Sequence, residues 1–79
     1  MVDPQSIQQG IAGGLACEHV EVVGDGQHFQ ALVVSAAFAG KSRLERHRLV
    51  FAALGDLLQT DVHALAITAL TPAEADARR

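Results

Sequence analysis

Aromatic side chains are nearly missing from this chain of 79 residues: three Phe, no Trp and no Tyr. The core must therefore be aliphatic, and stacking platforms for single-stranded nucleic acid are almost absent. Cysteine occurs once, at Cys17. A lone cysteine forms no internal disulfide and builds no Cys-rich zinc site. No apolar run approaches the length of a bilayer span, so no membrane association is expected. The first ten residues, MVDPQSIQQG, carry neither a basic n-region nor an apolar h-region, so no secretory leader is expected. A reducing, cytoplasmic setting is the default expectation. Lys and Arg are absent from the first 40 residues, which hold Asp3, Glu18, Glu21 and Asp25.

What is present is 49% hydrophobic and 19% charged, with a net charge of −3, and this argues against disorder. A single domain of this size buries roughly 60–65% of its unfolded surface, which leaves no room for a large internal pocket. Lys41, Arg43, Arg46 and Arg48 fall within eight positions, interrupted by Glu45. Such a patch suits a phosphate or an acidic partner, or is simply a solvated helix face.

Asp3-Pro4 reads as N-cap and first residue of a helix over about residues 4–13, with Ile7, Ile11 and Leu15 as its apolar stripe. Gly13-Gly14 is expected to end it. His19 to Val23 reads as a strand, Gly24-Asp25-Gly26 as a turn, and Phe29 to Ser35 as the returning strand of an antiparallel hairpin. Phe29, Ala31 and Val33 share one face of it. Ser42-Arg43-Leu44-Glu45 is a capping box that opens a helix at 43–54. Leu44, Phe51 and Leu58 recur on that helix at seven-residue spacing, with His47 and Leu54 on nearby positions, and Gly55 separates a shorter helix at about 56–60. Val62 to Leu70 is the third strand, its partner left open. Thr71-Pro72-Ala73-Glu74 is a second capping box, opening a short last helix. The order αββααβ with a terminal α predicts an α+β two-layer sandwich, a three-stranded sheet with helices on one side.

Histidine supplies the chief candidates for chemistry. His28 sits at the hairpin tip and His63 opens the third strand. His47 lies among arginines and reads as structural, and His19 reads as solvent-facing. Cys17 reads as a small buried hydrophobe. No phosphate-cradling loop, HExxH motif or Ser-His-Asp order is present. Two imidazoles leave a metal site incomplete, which points to ligands shared with a partner.

The run FAGKSRLERHRLVFAAL, the following VHALAITALTPAE, and GDGQHF in the hairpin resemble the BolA family over nearly the whole chain. The resemblance implies a fold similar to type II KH domains and a protein that is not itself an enzyme. It implies pairing with a monothiol glutaredoxin of the CGFS type. It further implies a [2Fe–2S] cluster shared with glutaredoxin and glutathione, with His63 of the VHAL strand and His28 of the hairpin loop as this chain's ligands. Such proteins serve iron–sulfur trafficking or iron and stress regulation. Alone, the chain is expected as a monomer or weak homodimer. Some members are described as DNA-binding regulators of transcription, a role that falls here on Lys41, Ser42, Arg43, Arg46, His47 and Arg48. The chain departs from the KH pattern, since Gly40-Lys41-Ser42-Arg43 lacks the second glycine of a GXXG loop. It also carries Ala75 where family members often have Trp.

Overall fold

The computed structural model describes residues 3–25, 27–55 and 65–78. Helix α1 spans Pro4–Gly14, strand β1 His19–Gly24 and strand β2 Phe29–Val34. A 3₁₀ turn, Ala36–Phe38, leads into helix α2, Arg43–Leu54. Strand β3 spans Leu65–Leu70 and helix α3 spans Pro72–Ala77. The expected short helix at 56–60 and the first residues of the expected third strand, 62–64, lie outside the described residues.

Local chemistry sets the helix starts. The Asp3 carboxylate accepts the Ser6 amide at 2.7 Å, and Pro4 follows at the first helical position. At α2, the Glu45 amide donates to Ser42 Oγ and the Ser42 amide donates back to Glu45 Oε1. The same reciprocal pair joins Thr71 and Glu74 at α3. As expected, α1 ends at the Gly13-Gly14 pair, its last helical residue being Gly14 and its C-cap Leu15. Gly14 lets α1 and α2 cross closely: a Cβ there would stand 2.7 Å from the Ala53 Cα.

The sheet order is β1-β2-β3. β1 and β2 pair antiparallel, with His19 opposite Val34 and Gly24 opposite Phe29. β3 joins β2 in parallel, with Phe29 opposite Leu65 and Val34 opposite Leu70. The partner that the sequence left open is thus β2, and the hairpin's second strand becomes the centre of the sheet.

α1 and α2 cover one face. Ile7 and Ile11 meet Val22, Phe29, Ala31, Val33, Phe38, Val50, Leu54 and Leu65 there. Leu15 and Cys17 pack at its margin. The seven-residue spacing in α2 marked the inward face only in part: Phe51 packs against the core and the neighbouring Leu54 is buried, but Leu44 is 60% exposed and Val50, outside the spacing, is buried. Ser35 is fully buried and satisfied, donating to the Ala16 carbonyl at 2.6 Å and accepting from the Ala37 amide at 3.1 Å. It caps the 3₁₀ turn that drives Phe38 into the core. Gly40 then takes φ 74°, a left-handed conformation that glycine adopts freely.

The helices are not all on one side. Pro72, Ala75 and Asp76 of α3 line, with His19, Leu32, Val34 and Leu70, a cavity of about 570 Å³ at the other face of the sheet. This accounts for the burial of Val34, whose side chain alternates away from the main core.

Candidate functional site: the hairpin loop and the basic start of the second helix

Asp25 organises the hairpin loop. Its Oδ1 accepts the Gln27 amide at 2.9 Å and the His28 amide at 2.8 Å, while its own amide donates to the His28 carbonyl at 3.2 Å. The side chain thus mimics a backbone turn, as Asp does well. These amides hold the Asp25 carboxyl below the usual carboxylate range, the His28 amide contributing most. His28 is exposed at the end of this braced loop. The braced backbone limits where the imidazole can go without enclosing it. His63 lies outside the described residues. Leu65, two residues further along, is in register with Phe29, the residue after His28.

Among the described residues no group of three or more His, Cys, Asp or Glu side chains could hold a metal ion. His19 is exposed, as expected, and its Nε2 stands 3.6 Å from Glu21 Oε2 across a solvated pair. His47 is half-buried on α2. Cys17 is half-buried, its Sγ–H directed to the Leu15 carbonyl at 3.3 Å, and burial pushes its thiol pKa up. A thiol so shifted is a packing group rather than a ready thiolate.

The basic segment divides in two. Lys41, Arg43 and Arg48 are exposed. Ser42 is engaged by its capping box. Arg46 is turned inward instead. Its Nε donates to the Lys41 carbonyl at 3.0 Å, its Nη1 to the Ala69 carbonyl at 3.0 Å, and its guanidinium grips both oxygens of Glu74 at 2.7 and 3.3 Å. It also stands over the Phe38 ring, 6.0 Å from the centroid. A guanidinium so committed has little left for an outside anion. This corrects the expectation of four equivalent cations: three face solvent and the fourth is structural. The Arg46–Glu74 pair escaped sequence reading because its members are 28 positions apart. The bracing role of Asp25 was closer to hand, since Asp before Gly in a turn is a common Asx signal.

No helix among the described residues is long and apolar enough to cross a membrane.

A family model described as BolA-like protein matches residues 13–74. Over 56 residues the chain is 54% identical to BolA-like protein 1 of Bos taurus, covering 71% of this chain and 42% of that protein. The match thus spans about two fifths of that relative's length. Over 74 residues it is 35% identical to acid stress protein IbaG of Escherichia coli strain K12, covering 92% of this chain and 88% of that one. Among solved structures, a bolA protein homologue from Coxiella burnetii is 44% identical with a TM-score of 0.85, covering 96% of this chain and 99% of that chain. The matched stretch runs from the last turn of α1 to the capping box of α3, and the solved homologue follows the same path over nearly every residue, so this chain belongs to the BolA family.

Proposed function

We propose that the chain is a non-enzymatic adaptor that pairs with a monothiol CGFS glutaredoxin and shares a [2Fe–2S] cluster with it and with glutathione. The observation that carries this reading is the exposed His28 on a loop braced by Asp25, beside the strand that His63 precedes by two residues. His28 and His63 are the ligands from this chain. An imidazole pair leaves a cluster half-ligated, and on this reading thiolates from a second molecule complete it. When bound, a cluster held by imidazoles on one iron has a higher reduction potential than an all-thiolate one. This chain's own part is to present two neutral nitrogen donors and to hold the loop backbone in place, which lowers the ordering cost of assembly. Lys41, Arg43 and Arg48 supply positive charge for docking. The acid-stress name of the IbaG relative is the ground for extending the role to stress regulation.

Mixing the protein with a CGFS glutaredoxin, glutathione, iron and sulfide, and recording visible absorption and circular dichroism, tests the reading. A heteromeric spectrum that His63→Ala and His28→Ala each alter is expected. An unchanged spectrum for His63→Ala removes that ligand.

The alternative, a DNA-binding regulator, rests on the three exposed cations. Three phosphate contacts on duplex DNA would give a log–log salt slope of about −3.

A further inference from the structure

β3 is an edge strand, and no further strand pairs with its outer edge among the described residues. In a parallel ladder each residue directs both backbone groups to the same side, and the side alternates along the strand. The Ser35 amide donates to the Leu70 carbonyl, which fixes the alternation: Ala66, Thr68 and Leu70 face β2. Leu65, Ile67 and Ala69 therefore direct their N–H and C=O groups outward. Arg46 confirms this by capping the Ala69 carbonyl from outside. Ile67 keeps an outward donor and an outward acceptor, and neither has a partner among the described residues.

This edge forms one wall of a cavity of about 390 Å³ whose other wall is the start of α2. Lys41, Arg43 and Arg78 line it as well, and none of the three forms an ion pair with a described residue. Glu74 also lines the cavity, but Arg46 neutralises it. The groove is thus locally cationic on a chain whose net charge is −3.

We propose that the outer edge of β3, beside the start of α2, is a strand-addition site for an extended acidic peptide segment of a partner protein. An unpaired strand edge binds an extended chain through alternating main-chain bonds. The three cations select carboxylates on it. A nucleic acid fits less well for two reasons. A DNA backbone offers acceptors only, whereas the edge presents a donor and an acceptor together. The groove also lacks an aromatic platform, since none of Phe29, Phe38 and Phe51 lines it. The site shares Lys41 and Arg43 with the charge proposed for glutaredoxin docking but includes neither proposed cluster ligand, so peptide binding measured without iron or glutaredoxin tests it separately.

The probe is an acetylated, amidated hexapeptide of alternating valine and glutamate, labelled for fluorescence anisotropy at low salt. Two further versions carry N-methyl groups on the valines or on the glutamates. In strand addition only one set of amides faces the edge. One methylated peptide should therefore bind at least about tenfold more weakly, and the other within about twofold of the parent. The Ile67 amide should exchange more slowly with the parent bound. The double substitution Lys41→Glu and Arg43→Glu, at exposed positions, should weaken the parent by about tenfold or more. Equal binding of both methylated peptides, no binding of the parent, or indifference to the double substitution overturns the proposal. Tighter binding of oligothymidylate than of the parent, at the same groove, overturns it in favour of nucleic acid.

Discussion

Arg46 in α2 and Glu74 in α3 form a two-pronged ion pair, and the same Glu74 oxygen that meets Arg46 at 2.7 Å also accepts the Thr71 amide at 2.8 Å. One carboxylate thus caps α3 and fastens it to α2, while the guanidinium reaches on to the edge of β3. The hydrogen bond from Arg46 is the largest cause, and the Thr71 amide the next, of a Glu74 pKa lowered from 4.5 to about 2. A depressed folded pKa stabilises the fold in full above the unfolded value. Here that contribution is complete above about 4.5 and is lost as pH falls toward 2. In Arg46→Ala the Glu74 carboxyl should titrate higher by about one unit or more, read from its side-chain carbon shift. An unmoved midpoint would show that the helix cap alone sets the value.

Both capping boxes were legible because every atom in them lies within four consecutive residues. The hairpin was legible because a turn of Gly and Asp separates two β-branched runs. The inward face of α2 was not. Val50 and Leu54 lie roughly a quarter turn from Leu44 and Phe51 at 3.6 residues per turn. The first turn of that inward face is filled by Arg46 and His47, which hydrophobic patterning counts as outward. Arg46 is only 14% exposed because its charge is met by a residue 28 positions away. The parallel pairing of β2 with β3 is non-local in the same sense: its register depends on how α2 packs, and no local residue pattern encodes it. Of the candidate site, the loop histidine was legible as exposed, while the split between free and committed cations was not.

The buried and exposed faces of α2 give a paired test on one helix. Leu54 is 4% exposed and Leu44 is 60% exposed. Leu54→Ala should cost about 2–5 kcal/mol, from lost transfer energy and a residual cavity. Leu44→Ala should stay within about 0.5 kcal/mol. Urea unfolding of the two variants measures both. Comparable losses would mean that Leu44 packs as firmly as Leu54.

Adjacent glycines at the end of α1 should respond with opposite signs. At Gly13 an added Cβ meets nothing within 4 Å, and the residue is helical. Gly13→Ala should stabilise by up to about 1 kcal/mol through helix propensity and a less flexible unfolded chain. At Gly14 the added Cβ would meet Ala53 Cα at 2.7 Å and Ala53 O at 2.8 Å. Those are backbone atoms of α2, so relief requires moving a helix, and Gly14→Ala should destabilise by about 1–3 kcal/mol. Thermal unfolding of the pair decides it. A stabilised Gly14→Ala would mean that the two helices separate readily.

Asp25 should govern the order of the loop with little effect on the rest of the fold. It is fully exposed, and its two amide contacts reach only Gln27 and His28. Its pKa lies below the ordinary 3.8, chiefly through the His28 amide, then the Gln27 amide. The bracing is therefore complete at neutral pH and fades only as the pH falls through that lowered value. Asp25→Ala removes the acceptor at every pH. Amide exchange at Gln27 and His28 should accelerate to that of an open loop, while exchange at Val33, in the central strand, should hold. Asp25→Asn keeps an acceptor oxygen and should retain most of the protection. In the glutaredoxin mixture, Asp25→Ala should lower the yield of heteromeric cluster, because the loop must then be ordered at the moment of ligation. Loop protection lost with cluster yield intact would mean that ligation orders His28 without help from Asp25.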